Sequence, residues 1–399
     1  MKIGSINAAI ISVRTRCDCA CYLIEANMEE NKKKPILAIV LGILLLIVVA
    51  GGIFVLANWN RSLGEPLGLP TRTSSTSGGS AGSGSNSGAA GEGEQTGVIT
   101  LPTEPVGEPI CGDNKIMYLL AAGIDSTDPE YLYGLSDVIR VMRIDFVTPK
   151  VTVMTLPRDL EVQIPDLIPS VQDEIYNAKL NQAYFYGGPG MGFYEGPGGG
   201  PGLLARTIAY NYDLYVDHYV AVNMVAFEKI VNAIGGVDVY LNEPVDCRPK
   251  GMEAEDPLYQ RPDYFQPGMN HMDGARALTF VRCRERYGDL IRAEHQSMVL
   301  MAIKDKLTSP SLISSLPKLV STMLDDVQTD LSMAQIQQLI CLLPKLEDDQ
   351  IQFVRFPDEW MVQGWADIAR VGRAFIWDIP KEKIIEFCDL FEADALPPQ

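Results

Sequence analysis

Positive charge is scarce in this chain: 33 Lys and Arg stand against 51 Asp and Glu, a formal net charge of −18 over 399 residues. That balance repels a phosphate backbone and excludes bulk nucleic-acid binding, so a local gathering of arginine must serve something narrower. Paired metal-binding cysteines are also missing. Cys17, Cys19 and Cys21 form a C-x-C-x-C cluster, but no second ligand pair accompanies it, and incidental cysteines are the simpler account. The glycine-rich stretch 187–202, GGPGMGFYEGPGGGPG, lacks the Lys-Ser/Thr of a phosphate-cradling Walker motif and reads as a mobile rim. What the chain has is core material. Hydrophobic residues make up 47% and charged residues 21%, enough over this length for one large core or two ordinary ones.

Residues 35–58, PILAIVLGILLLIVVAGGIFVLAN, contain no charged side chain. A bilayer core needs about 20 such residues, so the run predicts a transmembrane helix. A cleaved signal peptide would have a shorter apolar region, about 7 to 15 residues. Lys32, Lys33 and Lys34 precede the run, which keeps residues 1–34 in the cytoplasm and puts the folded part outside the cell membrane as a single-pass protein. A start at Met28 would leave a more ordinary stub, making 1–27 a start-site artefact. From Ser62 to about Gly107 the chain turns to Gly, Ser, Thr and Pro, a composition that cannot offset its ordering entropy and predicts a flexible tether. Beyond it stand Cys111, Cys247, Cys283, Cys341 and Cys388. An oxidising exterior permits disulfides, an odd count leaves one thiol over, and spacing alone selects no bridge.

From Asn114 onward, short apolar runs alternate with helical patterns. Residues 116–122, 138–146 and 151–156 read as neighbouring strands of a buried sheet. HYVAVN leads into a helix with Val225, Ile230, Val231 and Ile234 at helical spacing, stopped at Gly235, and then into the strand-like VDVYL. Strand, helix and strand recurring in this way predict an α/β sandwich, with ligands expected beyond the carboxyl ends of strands. The region from 308 onward has helical stretches expected to pack on the sheet.

The chemistry concentrates in residues 277–307. In VRCRER, Arg282, Arg284 and Arg286 alternate and would share one face of an extended segment. A helix is expected from about Asp289, with Arg292, His295 and Gln296 on one side and Ile291, Met298 and Ala302 toward the core. Guanidinium forks match phosphate oxygens bidentately, so a phosphate or diphosphate is the natural ligand; the alternative is a solvated, salt-bridged surface. LPRD places Arg158 and Asp159 just after a strand, while Asp125 and Asp137 flank strand ends. Carboxylates converging on a diphosphate would repel it unless a hard cation, Mg²⁺ or Mn²⁺, lay between them.

Taken in order, NKIMYLLAAGID, LSDVIRVMRID, VTVMTLPRDLEVQIP, KLNQAYFYGGP, DHYVAVNMVAFEKIVNAIGGVDVYL, F-x-x-G-x-x-x-x-D-G-x-x-A-L and R-x-R ending in D-x-x-R-x-x-H-Q resemble the LytR-CpsA-Psr family from about residue 114 to 307. The resemblance implies a central mixed β-sheet flanked by helices, an α-β-α sandwich preceded by one transmembrane helix. It also implies a phosphotransferase that moves a glycopolymer from a polyprenyl pyrophosphate carrier to peptidoglycan. Carried to this sequence, it implies that Asp125 and Asp137 hold Mg²⁺. Arg158, Arg282, Arg284, Arg292 and Gln296 would grip the diphosphate, with Lys179 and His295 as further substrate contacts and Asp159 orienting Arg158. The division that follows is a cytoplasmic segment 1–34, a helix 35–58, a linker 59–110, a catalytic domain 111–307 and a helical region 308–399.

Three positions depart from the family pattern: Leu135 and His295 replace arginines, and Val138 replaces a threonine. Arg140, Arg143 or Arg286 are candidates to compensate. A carrier tail would need an apolar tunnel, sought between the helices at 227–234 and 298–303, where core packing is the default reading. The alternatives to transfer are hydrolysis of the same diphosphate, or a non-catalytic module that binds polyprenyl phosphates.

Overall fold

The computed structural model describes residues 59–69, 105–248, 263–284, 286–312 and 315–397. The expected cytoplasmic segment, the apolar run 35–58 and most of the linker lie outside the described residues. Among the described residues no helix is long and apolar enough to cross a membrane. The described residues from Ser62 onward belong to one compact unit.

In chain order the main elements open with β1 (Ile116–Ile124), β2 (Ser136–Asp145), β3 (Lys150–Thr155), α1 (Leu180–Gly187), α2 (Gly199–Tyr212), β4 (His218–Asn223) and α3 (Met224–Ala233). They continue with β5 (Val237–Leu241), β6 (Gly268–Met272), α4 (Gly274–Val281), α5 (Gly288–Thr308), α6 (Leu316–Met323), β7 (Gln328–Thr329) and α7 (Met333–Leu342). β8 (Ile351–Val354), β9 (Gln363–Ile368), β10 (Gly372–Trp377) and α8 (Lys381–Glu392) complete the set. The central sheet has six strands in the order β7-β4-β1-β2-β3-β8. It is mixed: β1 runs parallel to β4 and antiparallel to β2, and β3 runs parallel to β8.

The alternating side chains of β1 serve two cores, because successive residues of a strand face opposite sides. Tyr118, Leu120 and Ala122 pack with α1, α2 and α8. Met117 and Leu119 pack with Ile336 and Leu342 of α7. That gives the expected helix-sheet-helix sandwich. A third cluster, built from α3, β5, β6, α4 and α5, buries Val231, Val239, Phe265, Phe280 and Val299 beside it.

The three strands read at 116–156 and the strand and helix at 218–233 form as expected. Four details differ. VDVYL pairs with β6 in a two-stranded sheet rather than joining the central one, and its partner strand was not read from the sequence. The region from 308 is not helical throughout, because it supplies both edge strands of the central sheet and the β9–β10 hairpin. Residues 62–69, expected within the tether, lie against the fold: Leu67 is buried, Leu63 donates its amide to the Leu331 carbonyl, and Ser62 Oγ donates to the Asp330 carbonyl at 2.7 Å. Finally, residues 199–202 of the glycine-rich stretch begin α2. A Cβ on Gly187 would come within 2.7 Å of Leu203 Cβ and 2.8 Å of the Gly199 carbonyl oxygen, so glycine there allows α1 and α2 to approach rather than giving mobility.

Two disulfides occur among the described residues, Cys111–Cys341 and Cys247–Cys283, while Cys388 is buried and free. The first ties the irregular segment preceding β1 to α7. The second joins the turn after α4 to the segment after β5.

Candidate functional site

β2 and β3 deliver the first components. The amides of Asp125 and Asp137 both donate to the Leu135 carbonyl, at 2.9 and 3.0 Å, at the irregularity where β1 and β2 part. Two carboxylates twelve residues apart are thus set on adjoining backbone. Just past the end of β3, Arg158 turns back: its Nη1 lies 2.6 Å from Asp137 Oδ2, its Nε 3.1 Å from Asp159 Oδ2 and its Nη2 3.7 Å from Asp289 Oδ2. Lys179, at the N-terminus of α1, holds the other Asp159 oxygen at 2.7 Å. Asn181 donates to Asp137 Oδ1 at 3.3 Å.

The first turns of α5 close the cluster. Asp289 occupies the first turn, where a carboxylate is favoured by the helix dipole. Its Oδ1 accepts Arg292 Nη1 at 3.3 Å, and Arg292 Nη2 donates to the Asp137 carbonyl at 3.4 Å. Burial disfavours the Arg158 cation, but Asp137, Asp159 and Asp289 outweigh that and raise its pKa. For Arg292 the balance goes the other way: burial lowers its pKa, Asp289 and Asp137 only partly compensate, and Arg158 and Arg284 repel it. Arg292 is thus a buried cation whose charge is only partly met by the carboxylates beside it.

Beside the cluster opens a cavity of about 50 Å³ whose wall includes Ile139, Leu156, Ala293, Phe356, Met361 and Trp377, with Asp137, Arg158, Asp289, Arg292, Gln296 and Arg355 also facing it. Gln296 Nε2 donates to the Val281 carbonyl at 3.3 Å. The tunnel expected between 227–234 and 298–303 is not what those residues form: Val231, Ile234, Val299 and Ala302 are buried in the third cluster.

The remaining expected residues divide. Arg282 and Arg284 are exposed and sit at the end of α4, with Arg282 in helical conformation at its C-cap, so the extended alternation expected for VRCRER does not form. Arg282 reaches Asp125 Oδ1 at 3.4 Å, forming a rim pair. Arg286 joins Asp246 at 3.5 Å instead. On α5 Ala302 and Met298 pack on the third cluster as expected, Ile291 is only half-buried, and Arg292, His295 and Val299 are buried with Ala302. His295, expected beside the diphosphate, is therefore placed in the core and away from the carboxylates. It stacks on Phe280 with centroids 4.4 Å apart and meets Tyr287 edge-on, and burial pushes its pKa down to about 4, so it is neutral at pH 7.

None of the side chains considered as compensation for Leu135 faces the cluster. Arg140 is fully buried and donates to Ser297 Oγ and the Ala293 carbonyl, its pKa lowered by burial to about 10. Arg143 lies by Asp145 and Asp394. Arg355, just past β8, lines the cavity as Arg158 and Arg292 do, with its guanidinium paired to Asp358. Asp289 and Arg355 were the residues that sequence reasoning left without a role. Asp289 carried a signal, as the acid opening D-x-x-R, whereas Arg355 carried none.

Asp125 and Asp137 offer hard oxygen donors, which suit Mg²⁺ in kind. Among the described residues no group of three or more His, Cys, Asp or Glu is arranged to hold a metal ion, so a cation here would take its other ligands from phosphate oxygens and water, a usual habit of Mg²⁺.

The LytR_cpsA_psr family model matches residues 93–381. A polyisoprenyl-teichoic acid--peptidoglycan teichoic acid transferase TagU of Oceanobacillus iheyensis is 30% identical over 224 residues, 56% of this chain and 61% of that protein. The protein of the same name from Enterococcus faecalis is 28% identical over 246 residues, covering 60% of this chain and 70% of its own length. The crystal structure of B. subtilis TagV superposes on 71% of this chain and 99% of that one with a TM-score of 0.52 at 22% identity, a likeness of fold. The chain thus spans about three fifths of the length of the first of these relatives.

Proposed function

The chain belongs to the LytR_cpsA_psr family, and from that premise we propose that it is a transferase that moves a glycopolymer from a polyprenyl-pyrophosphate carrier to peptidoglycan outside the cell membrane. One observation carries the reading: Arg158 and Arg292 converge on Asp289 at the mouth of a largely apolar cavity. A diphosphate wants fixed guanidinium forks, and an isoprenoid wants apolar walls; they meet here. The relatives' names support the polymer and acceptor classes, and the lysine-flanked apolar run supports the anchor. Two disulfides suit an oxidising exterior.

In this reading Arg158, Arg292 and Arg355 bind the diphosphate, with Gln296 at its side and Arg282 and Arg284 on the outer rim. Asp159 positions Arg158, and Lys179 keeps Asp159 neutralised. Asp137 and Asp289 hold the guanidinium groups in place before substrate arrives, which removes reorganisation from the reaction itself. The acceptor hydroxyl oxygen bonds to the phosphorus carrying the glycan, the bond from that phosphorus to the bridging oxygen breaks, and polyprenyl phosphate leaves as the hydroxyl proton is lost. Charge accumulates on the leaving phosphate, where Arg158 and Arg292 stabilise it. Mg²⁺ held by Asp125 and Asp137 would neutralise charge on the diphosphate oxygens. A cavity of about 50 Å³ holds a few water-sized groups, so it must widen to admit more than the first carbons of the carrier.

The test incubates the full chain with a polyprenyl-pyrophosphate-linked glycan, a peptidoglycan acceptor and Mg²⁺. Glycan phosphate bonded to the acceptor is the expected product. Free phosphoglycan would mean hydrolysis, and bound lipid without either product would mean a binding module.

A further inference from the structure

The β9–β10 hairpin has two unlike faces. Register pairs Gln363 with Trp377, Trp365 with Phe375, and Asp367 with Arg373, and side chains two apart share a face. The inner face accounts for folding: Ile368 and Ile376 are buried. The outward face should then be polar. Instead it carries three aromatic rings that run from half-buried to exposed: Trp377 packs against the main core, Phe375 is half-buried and Trp365 is 63% exposed. Ring centroids step 5.1 Å from Trp377 to Phe375 and 6.4 Å on to Trp365, each pair meeting edge to face, and the Arg373 guanidinium lies 6.0 Å from the Trp365 ring centre. Gln363, Asp367 and Arg373 flank the row on the same face. Aromatic rings bordered by planar amide, carboxylate and guanidinium groups suit a pyranose, whose C–H face is apolar and whose hydroxyls are donors and acceptors.

The row is continuous with the site. Trp377 lines the cavity beside Arg158, and its amide donates to the Asp159 carbonyl at 3.1 Å. Lys179 Nζ, which holds Asp159, lies 5.9 Å from the Phe375 ring centre. We infer that the outward face of the β9–β10 hairpin binds the sugar rings of the donor glycan nearest the diphosphate. The inference rests on the transferase reading above. The donor is chosen over the acceptor because its first sugar is covalently joined to the diphosphate, so it must leave the arginine cluster where the row begins.

The experiment uses the full chain in detergent micelles and two ligands, a short-chain polyprenyl diphosphate and the same diphosphate carrying a trisaccharide. Trp365→Ala should weaken binding of the glycosylated ligand by about three- to tenfold, the range expected for one lost ring contact, and leave the bare ligand unchanged. Trp365→Phe should restore most of the difference. Equal loss for both ligands would assign the hairpin to the carrier lipid or its membrane and overturn the proposal, as would no loss for either. Arg158→Ala tests the underlying reading separately: retention of bare-diphosphate binding in that variant would refute the arginine seat, while the Trp365 comparison would still decide the fate of the aromatic row.

Discussion

Arg158 and Arg292 are held on opposite oxygens of one carboxylate, with Nη2 of the first 3.7 Å from Asp289 Oδ2 and Nη1 of the second 3.3 Å from Asp289 Oδ1. A strand end and a helix start, far apart in the chain, are locked into one cationic cluster by that shared partner. Removing Arg158 leaves three carboxylates without their common counterion and takes a donor from the leaving group. Arg158→Ala should reduce glycan transfer by at least about 10²-fold, the scale of one preorganised electrostatic contact. Arg158→Lys should not rescue it, because an ammonium cannot span Asp137, Asp159 and Asp289 as a fork does. A lysine variant with wild-type turnover would sink the assignment.

Arg355 lines the cavity with its guanidinium paired to Asp358, and in the proposed reading it turns to the diphosphate with the kind of charge that Leu135 does not supply. Arg355→Ala should weaken binding of a polyprenyl diphosphate by about tenfold, the worth of one charge-assisted hydrogen bond. Leu135→Arg in that background should recover much of the loss. Calorimetric titration of the single and double variants checks both, and unchanged affinity in Arg355→Ala would remove the residue from the site.

Chelation should stop transfer while leaving the melting temperature unchanged, since Asp125 and Asp137 are satisfied by arginines in the metal-free fold. Asp125→Asn should raise the Mg²⁺ concentration needed for half-maximal rate. Full turnover in excess chelator would show that the arginines suffice.

His295 makes stability depend on pH. Its folded pKa of about 4 lies below the unfolded value of about 6.5, so the unfolded chain binds the extra proton between those limits. The neutral, stacked ring contributes in full above about pH 6.5, and the contribution falls as pH drops toward 4. Denaturation midpoints measured across this window should fall more steeply in the wild type than in His295→Phe. Parallel curves would contradict the buried, neutral histidine.

The Cys111–Cys341 bridge closes a loop of 230 residues, so its removal should cost about 2–5 kcal/mol of stability. Cys111→Ser with Cys341→Ser should therefore unfold at lower denaturant. Loss of Cys247–Cys283, which lies between Arg282 and Arg284, should act on the site instead and raise KM for the donor.

Much of the central architecture was legible because period-2 and period-3.6 apolar patterns in residues 116–156 and 218–234 follow directly from which faces are buried. Arg158, Asp137 and Arg292 were also legible, through residue chemistry at strand and helix ends. His295 was misread for a definite reason: its spacing put it beside Arg292 and Gln296, but both His295 and Arg292 point into the fold, and only Arg292 finds carboxylates there. Arg355 and the aromatic hairpin could not be read at all, since nothing local distinguishes a guanidinium facing a cavity from one facing water.

The chain by itself determined the strands within 116–156 and 218–241, its long helix α5, a lysine-flanked apolar run and a supply of arginines suited to phosphate, because these depend on near neighbours in sequence. Which cations share Asp289, which cysteines bond, and which aromatics line up beside the cavity were decided only by tertiary structure. Those depend on distances between segments that local pattern does not encode, and on burial, which turns identical side chains into a core histidine, a packed arginine or a ligand seat.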